Sequence, residues 1–227
     1  VFSLTILNYT YGTNGIKATP PNIVNYINKE TILKDIHSAQ AVRPDAIIAC
    51  MHWGEEYQSL PNREQRELAD WLLEQGVTHI IGSHPHVIQP MELREDGNQQ
   101  HAVVYSLGNF ISNMSAANTD GGLIFTLQLE KYPLPSPIHP LQGRLSYSPL
   151  PDSFIPSFPF SRVAQCGYTL VWTARPTLTG GKNYILYPSY SPIDQLPQAA
   201  RNRLNIFTKN SREFLFKHNT GVCENSK

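Results

Sequence analysis

Two histidines one residue apart, His84 and His86 in the string THIIGSHPHVIQ, are the side chains of this sequence best suited to chemistry. Neutral imidazole is the commonest metal-ligating group, and Pro85 between the two stiffens their link by fixing φ and removing a backbone donor. Alternate side chains of an extended segment share a face, so the spacing predicts that both rings point the same way. The competing reading is a chance His-x-His string in a loop, which the spacing alone does not exclude. A third imidazole, His52, directly follows a separate apolar run, DAIIACM.

The elements that would position these rings read as alternating strands and helices. Residues 77–81 form a short apolar run closed by Gly82 and Ser83, a strand that delivers His84 and His86 onto a loop. Residues 45–51 are continuously apolar between Pro44 and Gly54, the pattern of a strand buried on both faces of a parallel sheet, with His52 at its carboxyl end. Between them, residues 62–75 carry Leu68, Ala69, Leu72 and Leu73 at helical spacing, stopped by Gly76. Upstream, β-formers over residues 1–8 predict a strand, and residues 28–41 a helix that must end before Pro44. This β-α-β-α-β order is that of an α/β protein, and open α/β sheets bind ligands at the carboxyl ends of their strands. His52, His84 and His86 can therefore be neighbours in space.

Further along, residues 87–93, 102–106 and 123–129 read as strands. Ser106 and Asn109, in the turn SLGN, either bind substrate or satisfy turn backbone groups, and Glu92 either faces the site or is a charge on a sheet edge. Prolines crowd residues 132–159, which excludes helix and interior strand. Residues 167–173 and 183–187 read as a hairpin across Gly180 and Gly181, and residues 196–217 as a helix packing on the sheet. The expected division is a domain over 1–131, a Pro-rich loop or linker over 132–165, and a hairpin plus helix over 166–227. The remaining histidines, His79 and His101 among them, carry no spacing signal and read as structural or exposed.

Composition removes several classes of function. With 227 residues, zero formal net charge and a pI near 7.2, there is no electrostatic case for a nucleic acid or an anionic membrane surface as partner. No apolar run approaches the ~18 residues of a membrane span. The first strand begins at Val1 with no initiator Met, and the expectation is a processed or truncated chain.

Four strings occur in order: CMHWGEEY at 50–57, LLEQG at 72–76, IGSHPHVIQPMEL at 81–93 and VVYSLGNF at 103–110. Together they resemble the CapA family of poly-γ-glutamate capsule biosynthesis proteins. The resemblance implies the C-terminal part of a calcineurin-like metallophosphoesterase, a four-layer α/β sandwich with a metal centre at its strand ends. In that superfamily a lone His follows one strand and a Gly-x-His-x-His follows the next; His52 looks like the first, and Gly82, His84 and His86 like the second. The three rings would hold one or two divalent ions, and an all-nitrogen set suits Zn, Mn or Fe. Glu56 fits the family's His-Trp-Gly-x-Glu-Tyr pattern and would accept a hydrogen bond from an imidazole, ligate the ion or act as general base. Trp53 beside it would cap the sheet edge or stack on substrate. The superfamily's early Gly-Asp and Asn-His motifs do not occur in this sequence, so the N-terminal half is expected to be removed or to belong to another polypeptide.

Two functions follow as expectations. One is a metal-dependent, hydrolase-like protein of capsule or cell-envelope polymer biosynthesis, outside the cytoplasmic membrane, acting on an anionic polymer or a phosphorylated small substrate; a peptidase or amidase acting on the polymer is a variant of it. The other is a non-catalytic envelope protein that binds the polymer, or a synthase or export partner, through the same cleft.

Overall fold

The computed structural model describes residues 1–97, 99–114, 116–131 and 161–225. Strand β1 (Leu4–Thr10) leads through α1 (Lys29–Ala41) to β2 (Ala46–His52), and through α2 (Arg63–Glu74) to β3 (His79–Ser83). These three strands are parallel, with Ile6 opposite Ile48 and Ile48 opposite His79. Strands β4 (Met91–Asp96) and β5 (Gln99–Val104) complete a sheet of order β1-β2-β3-β5-β4, in which β5 runs parallel to β3 and β4 is an antiparallel edge.

Local chemistry sets the helix starts. Asn28 caps α1 by accepting from the Thr31 N–H at 3.0 Å. A reciprocal capping box opens α2: the Asn62 side chain accepts from the Gln65 N–H at 2.8 Å, and the Gln65 side chain accepts from the Asn62 N–H at 3.1 Å. Ile32 and Ile36 of α1 and Ala69 and Leu72 of α2 bury against Ile47, Met51 and Ile80 of the sheet. Both helices thus cover one face, as successive right-handed crossovers in one direction require.

The second sheet contains β6 (Gly121–Lys131), β7 (Ser161–Ala174) and β8 (Ile185–Pro188), with the two-residue β9 (Cys223–Glu224) beside β7. A one-turn helix, α3 (Pro176–Thr179), lies between β7 and β8, and the long α4 (Gln198–His218) follows. A second core joins Leu123, Leu170 and Trp172 of this sheet, Leu204 and Phe207 of α4, and Met91 and Val104 of the first sheet.

Two sequence expectations change. The segments over 167–173 and 183–187 do pair antiparallel, but α3 interrupts the predicted hairpin turn. The division at 131 and 166 falls inside the second sheet, because β6 pairs with β7 from Gly121 opposite Trp172 to Lys131 opposite Ser161. Residues 161–165 are therefore strand, not linker; the rest of the Pro-rich segment, 132–160, lies outside the described residues. Pairing between strands distant in the chain leaves no mark in local composition, so composition alone does not register the strand over 161–165.

His79 and His101, unremarkable in sequence, sit in the interior. The Ala102 N–H donates to His79 Nδ1 at 3.1 Å, and His101 Nδ1 donates to the Thr78 carbonyl at 3.0 Å. Burial first, and the neighbouring His101 second, depress the His79 pKa from 6.5 to about 3. Above pH 6.5 the ring is neutral folded or unfolded and adds no pH dependence. Below that value the unfolded chain takes up a proton that the folded chain refuses, so stability falls with pH until about 3. We expect this ring to account for ~2 kcal/mol lost between pH 7 and pH 5. Denaturant titrations at the two pH values measure it: His79→Gln should flatten the difference, and an unchanged difference would clear His79 of the effect.

Candidate metal centre

Strands β1, β2 and β3 end on one edge of the sheet, and the residues just beyond them converge. Tyr11 follows β1, His52 closes β2, and His84 and His86 follow β3. The His52 and His84 ring centroids are 4.6 Å apart and those of His84 and His86 5.9 Å, while the Tyr11 ring lies 4.3 Å from that of His84. One ligand atom from each of Glu56, His84 and His86 lies within 4.8 Å of the others, with Glu56 Oε1 3.8 Å from His86 Nε2. The three-donor group is therefore Glu56, His84 and His86, and His52 stands beside His84, outside it.

The expected extended link between His84 and His86 is replaced by a tight loop. His84 has φ 103° and His86 φ 62°, both in the left-handed region. Non-glycine residues there cost ~1–3 kcal/mol each and persist only where the surroundings enforce them. Enforcement comes from the loop after β2: the Tyr57 N–H donates to the Pro85 carbonyl at 2.8 Å, and the Tyr57 ring stacks near His86. Beneath, two buried amides brace both loops. Gln65 Nε2 donates to Gln89 Oε1 at 2.9 Å, and Gln89 Nε2 donates to the Gln58 carbonyl at 2.8 Å.

Trp53 is 2% exposed and donates its indole N–H to the Tyr105 carbonyl at 2.9 Å. It caps the sheet edge as a packing residue. Gly82 passes directly over this bond: a Cβ there would lie 2.0 Å from the Tyr105 oxygen and 2.5 Å from the indole nitrogen. Only glycine permits that approach.

Protonation favours ligand behaviour. Burial first, then the His86 ring, lowers the pKa of His52; for His84, burial and the His52 ring outweigh the opposing Glu56 carboxylate. Both rings are neutral at neutral pH and keep a lone pair free. His86 is oriented by Asn109, whose Nδ2 donates to the Thr119 carbonyl at 2.8 Å and whose Oδ1 lies 2.9 Å from His86 Nδ1. That arrangement assigns the proton to Nδ1 and leaves the Nε2 lone pair on the side of Glu56. Asn109, read from the sequence as a catalytic candidate, meets the donor group through the His86 ring.

Two further sequence candidates are not brought to the centre. Ser106 is fully buried and its Oγ accepts from the Gly108 N–H at 3.2 Å, holding a turn in which Gly108 has φ 73°. Glu92 lies on the edge strand β4 and accepts from Arg94 Nε at 2.6 Å; the same guanidinium bonds Asp70 and the Tyr105 hydroxyl. A cation two residues along the same strand captures this carboxylate. Sequence reasoning missed Tyr11, whose one signal is its place directly after the first strand, and Thr119, whose contribution is a backbone carbonyl with no signal at all.

An α/β fold carrying two imidazoles and a carboxylate at its strand ends defines a candidate divalent-metal centre. Residues 3–114, which contain the whole donor group, match the family described as bacterial capsule synthesis protein PGA_cap. The α/β architecture agrees with the calcineurin-like fold that the sequence resemblance implied. The chain is 33% identical over 102 residues to the capsule biosynthesis protein CapA of Bacillus anthracis, a stretch covering 43% of this chain and 24% of that protein. It is 34% identical over 87 residues to the PGA biosynthesis protein CapA of Bacillus subtilis (strain 168), covering 38% of this chain and 22% of that protein. The matched stretch thus spans about a quarter of the length of either relative.

The Asn109 geometry yields a measurable expectation. Asn109→Ala should weaken zinc binding about 10- to 100-fold, as loss of a ligand-orienting partner does. Competition with a chromophoric chelator reads the affinity, and circular dichroism checks that the fold survives. An affinity equal to that of the parent would remove Asn109 from this role.

Proposed function

We propose that this chain serves the biosynthesis of a capsule polymer of the poly-γ-glutamate type, outside the cytoplasmic membrane, through a metal-dependent hydrolase-like centre. The observation that carries the proposal is the convergence of ligand atoms from Glu56, His84 and His86 within 4.8 Å at the carboxyl edge of the sheet. The printed names of the two CapA relatives support the capsule and PGA assignment. Two nitrogens and one oxygen form a borderline donor set that suits Zn, Mn or Fe. Among the described residues no helix is long and apolar enough to cross a membrane, so an envelope location would rest on segments or partners beyond them.

A divalent ion at this donor group supplies Lewis acidity and lowers the pKa of water. The chain's own residues do the rest. Asn109 holds the Nδ1 proton of His86 and so keeps Nε2 available. The Tyr11 ring packs 4.3 Å from that of His84 and shields the part of the ring that it touches. His52, whose ring lies 4.6 Å from that of His84 and whose pKa is depressed, stays neutral beside the donor group and would serve as a proton acceptor there. The substrate is an anionic polymer or a phosphorylated small molecule, and the partners are envelope synthase or export proteins, or the N-terminal half that the resemblance calls for.

A second reading is binding without turnover through the same cleft, although three protein donors match the open position of a catalytic site and not a closed four-ligand one. Metal analysis and turnover assays on the full-length protein separate the two. We expect stoichiometric metal, its loss in the His84→Ala/His86→Ala double variant, and metal-dependent cleavage of a phosphoester or a γ-glutamyl oligomer. Stoichiometric metal without turnover would move the protein to the binding role, and no metal would end the metal-centre reading.

A further inference from the structure

Beside the imidazole group lies a cleft of about 480 Å³ that no sequence motif announces. Tyr11 belongs to both, because its ring packs 4.3 Å from that of His84 and also lines the cleft. The floor is apolar, with Ile27, Trp53 and Leu68. The rim is charged and carries both signs: Lys29, Glu64 and Glu67. Lys29 is the first residue of α1, and Glu64 lies in the first turn of α2, so both come from helices that start on the edge where the imidazoles gather.

The three rim charges are not equivalent. Glu67 Oε1 meets Arg63 Nε at 2.6 Å, so its charge is already answered. Lys29 Nζ rests 5.0 Å above the centre of the Trp71 ring, a contact that holds the ammonium without neutralising it. Among the described residues neither Lys29 nor Glu64 enters an ion pair. The cleft therefore offers a ligand one cation and one anion above an apolar floor.

We propose that this cleft binds the amine end of a γ-linked polyglutamate chain, with Glu64 facing the α-ammonium and Lys29 the α-carboxylate. The inference rests on the polymer assignment made above and adds which part of the polymer is held. In a γ-linked chain the amide uses the side-chain carboxyl, so the amine-terminal residue keeps its α-ammonium and α-carboxylate on one carbon. Interior residues have lost the ammonium and carry carboxylates alone; the opposite end carries two. A single unpaired cation beside a single unpaired anion matches the zwitterionic end, and Glu64 repels every other part of the polymer. The methylenes of the terminal residue then lie over Ile27 and Leu68, and the Tyr11 wall leads the next γ-amide toward His84. Recognition at this rim gives the protein a direction along its polymer.

The test uses the full-length protein and two probes: γ-linked tetraglutamate with a free amine, and the same oligomer N-acetylated. Calorimetry should show the free-amine form binding at least about tenfold tighter, a difference of ~1.4 kcal/mol. Glu64→Gln should bring the free-amine oligomer down to the acetylated level, and Lys29→Met should weaken both; each side chain is exposed, and circular dichroism confirms folding. Equal affinity for the two probes, or a preference that survives Glu64→Gln, overturns recognition of the amine end and leaves the polymer assignment standing. If neither oligomer binds while metal content is normal, the polymer assignment falls with it.

Discussion

The bond from the Trp53 indole to the Tyr105 carbonyl, with Gly82 lying over it, is the constraint on which the site depends. It joins the chain just past β2 to the chain just past β5, across the end of β3. The Leu107 N–H donates to the Gly82 carbonyl at 3.1 Å and closes the same junction from the other side. Three strand ends are thereby held at one depth, and His52 and His84 leave them close enough for their rings to meet. A side chain at position 82 would collide with a backbone oxygen, which cannot move without shifting β5. Removing the indole would leave a buried carbonyl unsatisfied, at a cost of ~1–3 kcal/mol.

On that platform sits a strained loop braced by hydrogen bonds. Two left-handed histidines cost a few kcal/mol together, on the order of ~1–3 each. The Tyr57 to Pro85 bond and the Gln65, Gln89 and Gln58 chain contribute roughly 1 kcal/mol each, enough to offset much of that cost. Both buried glutamines belong to this bracing, so a polar network in the interior fixes the direction of two surface rings. Strain held this way keeps the donors in place before any ligand arrives.

The second sheet reaches the same site by a different route. Arg203 of α4 grips Asp120 with Nε and a second nitrogen at 2.6 and 2.8 Å, and the Trp172 indole donates to the same carboxylate at 3.0 Å. Asp120 follows Thr119, whose carbonyl sets the Asn109 amide, which in turn sets the His86 tautomer. A helix near the end of the chain and a strand from the second core thus take part in orienting a ring of the candidate donor group. This is why the family stretch alone, residues 3–114, carries the donors but not everything that aims them.

Much of this protein is determined by local sequence. The apolar runs at β2 and β3, the amphipathic stripe and capping box of α2, and the turn residues after each strand specify an α/β order that puts His52, His84 and His86 at strand ends, because strand and helix periods are properties of neighbouring residues. Tertiary structure decided the rest. It curled His84 and His86 into a left-handed loop, swung Glu56 into their group, buried Trp53, set the Asn109 amide against His86, tied Glu92 to Arg94 and paired β6 with β7. With the exception of the Glu92 pair, each outcome depends on contacts between segments far apart in the chain, Tyr57 with Pro85, Gly82 with Tyr105, Asn109 with Thr119 and Lys131 with Ser161 among them. Local periodicity carries no information about such contacts, since only the packed sheet edge brings their partners together.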